Sequence, residues 1–338
     1  MKIPLSCLLV IAVLLLSCSQ KTVTNSDSST KQNDSAELYK KGIVAPKDYK
    51  LNQSETIKIL SWNVEHFVDA YDNPYINNQR ENNSNNMKGR VNLLVKALRE
   101  ADADIVVLQE FESIQFLKQI ANEHLSDMGY AFFADHESIN WYMNVVVMSK
   151  IPLGITYGYA SVNTPVQYKD EDTGEDKYET QSRINTRLWS VDVLVNDDYS
   201  FVLTGVHLKA GRGARNEAMR LGQLQFLKGQ FERFLQENAE KNILVVGDFN
   251  STPSSEEMRF MKDGNSTAKF IDFFDDNTLT HPADNPNKRI DYILPNTQMS
   301  KEMVKGSLKV NYFFEKNVQR QLSDHLPLTA EFISKDVP

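Results

Sequence analysis

Apolar residues in this chain come in short runs that stop abruptly, alternating with longer stretches that carry a helical rhythm. Residues 57–64 read as a buried strand, after which Val91, Leu94, Val95 and Leu98 fall at i, i+3, i+4 and i+7, on one face of a helix. Residues 104–109 form a second apolar strand. Residues 144–148 read as another, and 186–195 and 199–208, joined by Asn196-Asp197-Asp198, read as a hairpin. Leu224, Leu227, Phe231, Phe234 and Leu235 mark a long helix with a single apolar face, and 243–246, 290–294 and 328–332 supply further short strands. This order predicts a mixed sheet or a pair of sheets covered by helices. The asparagine-rich stretch 77–86 and the charged stretch 169–177 are expected to be surface loops.

Ahead of the first strand the pattern is different. Lys2 precedes an apolar run over residues 3–16, shorter than the roughly 20 residues that a membrane-spanning helix needs. A targeting segment is expected there. The run ends in Leu15-Leu16-Ser17-Cys18, which resembles the bacterial lipobox. That resemblance implies removal of residues 1–17, lipidation of Cys18 and a lipid anchor in the cell envelope. With Ser19 rather than an acid next, it implies the outer membrane. Residues 19–55 are rich in Ser, Asn, Asp, Lys and Thr and poor in large apolar residues. Residues 18–55 are therefore expected to be a flexible tether of roughly 35 Å root-mean-square span, with 39–49 positioned to pack on the body as an arm. Residues 56–335 form the expected folded domain.

Composition narrows the classes further. The 338 residues are 41% hydrophobic and 24% charged, which excludes collagenous, disordered and multi-span membrane proteins. Lys plus Arg number 37 against 45 Asp plus Glu, a net charge of -8, unlike a basic module held on nucleic acid by phosphate neutralisation alone. The only cysteines are Cys7 and Cys18, so no disulfide crosses the folded body.

The strand ends carry the chemistry. Residues 57–62 end at Asn63, residues 105–108 at Gln109-Glu110, and residues 202–206 at His207. Residues 243–246 end at Gly247-Asp248-Phe249-Asn250, Arg289-Ile290 precedes Asp291, and Ser323-Asp324-His325 stands just before the last strand. Six such ends look like one cluster at the carboxyl edge of a sheet. A set dominated by oxygen donors suits a hard divalent cation, magnesium first, with manganese or calcium as alternatives. Zinc is disfavoured because there is no HExxH and no cysteine in the body, and no GxSxG elbow supports a serine hydrolase.

The strings LSWNVEHF (60–67), VLQEFES (107–113), GVHLK (205–209), VVGDFNSTP (245–253), RIDYIL (289–294) and SDHLPL (323–328) resemble the ordered motifs of the endonuclease/exonuclease/phosphatase superfamily. The resemblance implies a deoxyribonuclease I-like, four-layer α/β sandwich, two mixed β-sheets packed face to face and flanked by helices. It implies Glu110 as the principal metal ligand, Asn63 beside it as a ligand or as a group that orients it, and Asp324 as a second acid near the metal. Asp291 and His325 are implied as a paired acid and histidine, the histidine serving as a charged clamp or base. Asp248 is implied to orient or deprotonate the attacking water, Asn250 to donate to the phosphate, and His207 to bind the phosphate or protonate the leaving oxygen.

The implied reaction is in-line attack of water on a phosphorus ester. The loop Lys209-Ala210-Gly211-Arg212-Gly213-Ala214-Arg215 supplies Arg212 and Arg215 as candidate phosphate binders, with Arg187, and less so Arg183, beside them. Expected substrates are nucleic acid or another phosphodiester. A phosphomonoesterase or sphingomyelinase-like enzyme on inositol or lipid phosphates is the alternative, and a catalytically silent binding protein a third. The membrane is an expected partner through the lipid anchor, and no protein partner is inferred.

Overall fold

The structure is a computed structural model that describes residues 38–69, 84–136, 143–159, 162–184, 187–264 and 266–338. The expected signal at 1–17, the lipidation site Cys18, the first part of the tether and residues 77–83 lie outside the described residues. Among the described residues no helix is long and apolar enough to cross a membrane.

The chain runs through strand Thr56–Phe67 (β1), helix Ser84–Ala101 (α1), strand Ile105–Phe111 (β2) and helix Ile114–His124 (α2). Short strands Phe132–Asp135 (β3), Asn144–Ser149 (β4) and Leu153–Tyr157 (β5) follow. Next come a hairpin of Thr164–Lys169 (β6) and Asp176–Gln181 (β7), then strands Leu188–Leu194 (β8) and Ser200–His207 (β9). Helix Ala214–Glu237 (α3), strand Asn242–Asp248 (β10), helix Glu256–Asp263 (α4) and strand Asp291–Pro295 (β11) lead to Lys309–Val310 (β12), helix Lys316–Leu322 (α5) and strand Leu328–Ile333 (β13).

Two mixed sheets result, one ordered β12-β13-β1-β2-β4-β3 and the other β11-β10-β9-β8-β5. The period-2 rule assigns their faces. Ile57 and Ile59 of β1 join Trp189, Val191, Leu203 and Val246 in the apolar layer between the sheets. Leu60 and Trp62, one step out of phase, pack with Leu94, Leu98 and Leu117 of the helices on the first sheet. Val202 and Val245 pack with Leu224, Leu227 and Phe231 of α3 on the second. The result is the four-layer sandwich, helices over each of two facing sheets. Because both faces of the central strands are covered, these strands read as continuous apolar runs.

Several boundaries differ from expectation. The hairpin expected at 186–195 and 199–208 is the tighter β8–β9 pair. Residues 169–177 are not merely a loop: they contribute the end of β6, the start of β7 and the turn between them. This hairpin rests on α3 through Val166, Ala218 and Met219. With one face solvated and four charges near its tip, it carries little apolar signal. Residues 84–86 open α1 rather than extending a loop.

Residues 38–51 pack on the body through Leu38, Ile43 and Leu51, which cluster with Phe132. Lys41 reaches Asp197 in the β8–β9 turn at 3.3 Å, and the Tyr49 hydroxyl donates to the Lys150 carbonyl. The turn lies at the far end of β9 from His207, roughly 25 Å away at about 3.3 Å per residue.

Candidate active site

The topology brings the six strand ends to one edge. β1 and β2 run parallel with Asn63 beside Gln109, one residue before Glu110. In the second sheet β9 and β10 run parallel with His207 beside Asp248, and antiparallel β11 sets Asp291 on the other side of Asp248. His325 arrives from the turn before β13, its backbone carbonyl accepting from the Trp62 indole at 2.9 Å.

The side chains meet. Asn63 bridges the sheets: its Nδ2 donates to Glu110 Oε1 and to Asp248 Oδ2, each at 3.1 Å, while its Oδ1 accepts the Glu65 amide. His207 Nε2 lies 3.5 Å from Glu110 Oε1 and 3.8 Å from Asp248 Oδ2. His325 Nδ1 sits 3.0 Å from both oxygens of Asp291, leaving Nε2 toward Asp248 and Asp324, each at 3.8 Å. Thr280 donates to Asp291 Oδ2 at 2.6 Å and fixes the carboxylate. Asn250 donates through its backbone to Asp248 Oδ1 at 2.7 Å and through Nδ2 to Asp248 Oδ2 and the Leu208 carbonyl.

The backbone here leaves ordinary strand geometry. Glu65, His66, Glu110 and Asn250 all have positive φ, between 45° and 57°, a conformation uncommon outside glycine. Arg90 holds the first pair in place: its guanidinium donates to the carbonyls of Val64, Glu65, His66 and Leu322. The His66 amide, so placed, donates to Glu110 Oε2 at 3.0 Å. Gly247 has φ +135°, and a Cβ there would fall 2.0 Å from the Val206 carbonyl, so a side chain at this position would force apart the strands carrying His207 and Asp248.

Burial and charge set the protonation states. Burial, with Asp291 close by, pushes the Asp248 carboxyl up against the pull of His325 and the Asn250 and Asn63 donors. Burial opposes ionisation of Glu110 too, but His207, His66 and the Asn63 amide outweigh it and hold its pKa below the usual carboxylate value. Burial lowers His207, and the positive charge of Arg187 adds to this against the attraction of Glu110. In His325 the desolvation cost is overcome by Asp291, Asp248 and Asp324, which raise the ring to about 10. Asp324 is likewise desolvated, yet His281 and His325 bring it down to about 2.

A divalent cation fits this donor set. Asp248, Asp291 and His325 offer ligand atoms within 4.8 Å of one another, as do His281, Asp324 and His325. Glu110 adds a carboxylate across the Asn63 bridge. Crowded acids in a buried site repel one another, and a hard cation relieves that repulsion with the oxygen donors it prefers.

Of the candidate arginines, Arg187 lies behind His207, its carbonyl accepting the His207 amide at 2.6 Å. Arg212 is exposed beside Asn250. Arg215 is engaged by Glu179 of β7 at 2.7 Å. Arg183 is exposed, at positive φ. Two histidines were not picked out from the sequence. His66 Nε2 lies 3.7 Å from Glu110 Oε2, and His281 Nε2 lies 3.2 Å from Asp324 with its ring 4.7 Å from that of His325. His66 stands inside the LSWNVEHF string and could have been read there. His281 lies in a loop segment with no flanking periodicity to mark it.

A cluster of acids and imidazoles fit for a divalent cation, gathered at one edge of a two-sheet sandwich, is the arrangement of a phosphoesterase of the deoxyribonuclease I-like class. The Endonuclease/Exonuclease/phosphatase family profile matches residues 60–325, and the chain belongs to that family of hydrolases acting on phosphoric esters. Members use divalent metals. Solved structures with the same fold include TDP2 from C. elegans, 14% identical with a TM-score of 0.52 over 85% of this chain and 77% of that one. The human Nocturnin catalytic domain with bound sulfate is 17% identical, with a TM-score of 0.50 over 83% and 96%. D. rerio TDP2 complexed with a single-strand DNA product is 15% identical, with a TM-score of 0.53 over 82% and 99%. No curated protein sequence matches the chain significantly.

Proposed function

We propose that the chain is a magnesium-dependent phosphodiesterase of the bacterial envelope, a nuclease or a related enzyme that cleaves phosphodiesters by in-line attack of water. The observation that carries this reading is the meeting of Glu110, His207, Asp248 and His325 across two sheets, with Nε2 of both histidines within 3.8 Å of Asp248 Oδ2. Glu110 would hold the cation, with Asn63 orienting it and Asp324 as a further acid; bound there, the cation supplies charge neutralisation for the phosphoryl oxygens.

The chain's own groups do the rest. His325, kept charged by Asp291, offers Nε2–H to a phosphoryl oxygen. Asp248, held high by burial, is suited to orient the attacking water and take its proton near neutral pH. The Asn250 amide beside it donates to the phosphate. His207, held neutral by burial, serves as a hydrogen-bond donor to the phosphate or the leaving oxygen. Arg212 adds positive charge around the entry and Arg187 adds it from behind His207, whereas Arg215 contributes less because Glu179 already neutralises it.

A magnesium-dependent assay panel tests this: duplex and single-stranded DNA, RNA, bis-p-nitrophenyl phosphate, p-nitrophenyl phosphate, inositol polyphosphates and sphingomyelin. Diester cleavage abolished by chelation, with inert monoesters, is the expected result. Monoester hydrolysis alone would replace the diesterase reading with a phosphatase. The envelope address rests on the Leu15-Leu16-Ser17-Cys18 string; metabolic labelling with a fatty acid, lost in Cys18→Ser, is the corresponding test.

A further inference from the structure

Residues 280–283 form a short loop that is held on two sides. The Thr280 and His281 amides donate to the Lys288 carbonyl at 2.9 and 3.1 Å, and the Asn287 and Lys288 amides donate to the His281 carbonyl at 2.9 and 3.2 Å. On the other side the Ala283 amide donates to the Asp324 carbonyl at 2.7 Å and the Leu326 amide to the Thr280 carbonyl at 2.8 Å. The loop is thereby fixed against both segments that carry the acids beside His325.

Its first two side chains serve those acids in the same way. Thr280 takes Asp291 Oδ2, and His281 Nε2 lies 3.2 Å from Asp324 Oδ2. Among the described residues nothing else hydrogen-bonds the Asp324 carboxylate, although the Asp324 amide donates to Glu65 Oε2 at 3.1 Å. Oδ1 is left facing the cluster, 3.8 Å from His325 Nε2. Burial decides the tautomer of His281. Its Nδ1 is buried with no hydrogen-bond partner, and a proton placed there would find no acceptor. The proton therefore sits on Nε2, and the ring donates to Asp324. The same ring stands edge-on to that of His325, with centroids 4.7 Å apart at 66°.

We propose that His281 is a positioning residue: by anchoring Asp324 Oδ2 it turns Oδ1 into the cluster as a preoriented oxygen for the divalent cation. The inference deepens the metal-dependent reading and rests on it for Asp324 as an acid at the cation. An unanchored carboxylate turns freely about its last bond, and a cation must stop that motion when it binds. A carboxylate already held by one oxygen is spared this cost. His281 is not itself a ligand, because Nε2 is occupied by Asp324 and Nδ1 is buried.

Metal binding to the full chain, measured by calorimetry with magnesium and with manganese and no substrate, tests this apart from turnover. His281→Phe keeps an aromatic ring against His325 and removes the donor. It is expected to weaken both cations by about 10- to 100-fold, the usual cost of losing the partner of a ligating group. His281→Gln restores an N–H near the place of Nε2 and is expected to bind within about threefold of the parent. In an Asp324→Asn background, with no carboxylate left to orient, adding His281→Phe should cost less than about threefold more. The magnesium concentration for half-maximal turnover should shift as the calorimetry does. Titrations run below the melting temperature of every variant, and His281→Ala replaces His281→Phe if the latter does not fold. Unchanged affinity in His281→Phe, an equal loss in His281→Gln, or a full further loss in the Asp324→Asn background would overturn the proposal. Loss of manganese with magnesium unchanged would do so too, by making the imidazole a ligand in its own right. A parent that binds neither cation would overturn the metal-dependent reading, and this inference with it.

Discussion

The seven residues of β10 carry a buried polar side chain at each end, Asn242 at the start and Asp248 at the finish. Each end holds a carboxyl that burial pushes up to about 7, Glu302 at one and Asp248 at the other. Around Glu302 both carboxyl oxygens are paired: one accepts from the Tyr199 hydroxyl and the other from Asn242 Nδ2 at 3.0 Å, an amide that also donates to Asp336 Oδ1 at 2.9 Å. Around Asp248 the arrangement is open, since Asp291, Glu110, His207 and His325 crowd the same space with more charge than the local donors neutralise. A raised carboxyl therefore does not mark a site. Convergent acids and imidazoles at a mouth do, because that arrangement is completed by a cation and a phosphate.

The sharpest way to break the comparison is to cut the open end. Glu110→Ala, His207→Ala, Asp248→Asn and His325→Ala are each expected to lower metal-dependent turnover by roughly 10²–10⁴-fold, with circular dichroism unchanged. Wild-type rates in any two would dissolve the grouping. Next in size comes Arg90→Ala, which releases the carbonyls of residues 64–66 and with them the His66 amide on Glu110. A misplacement near 1 Å in an active site costs on the order of 10²-fold, so kcat should fall by up to that much although Arg90 is bonded to backbone carbonyls rather than to the clustered acids.

The closed end should respond in stability instead. Glu302 keeps its proton in the folded chain up to about pH 7, against an ordinary value of 4.5. The stabilisation this represents is complete below about pH 4.5 and is lost as the pH rises through about 7. Glu302→Gln should therefore gain thermal stability relative to the parent between pH 5 and pH 8, with turnover unchanged; a constant difference across that range would show that the carboxyl does not titrate there. The smallest effect is expected for Arg215→Ala, a change in KM of under about threefold, because an exposed pair with Glu179 is worth little.

Both ends of β10 were not equally visible in the sequence. The open end was legible because its groups sit at the margins of apolar runs: His207 and Asp248 end strands, Asp291 opens one, and Asn63 closes the apolar run of a strand that continues to Phe67. The closed end was not, since Tyr199, Asn242 and Glu302 carry no common spacing and meet only through sheet register. The same limit hid the Arg320–Glu65 ion pair, two residues 255 apart in sequence, and the role of Arg90. The amphipathic β6–β7 hairpin escaped because half of it is solvated. Asn63 was expected as a ligand or an orienting group, and its Nδ2 bridges the Glu110 and Asp248 carboxylates.

Residues 38–51 seat beside the β8–β9 turn, roughly 25 Å by strand length from His207. A bead, vesicle or fusion partner coupled upstream of Leu38 would thus be joined on the side remote from the mouth. Immobilisation through that end should leave the surface at Asn250 open to solvent, whereas coupling through the 209–215 loop should obstruct it.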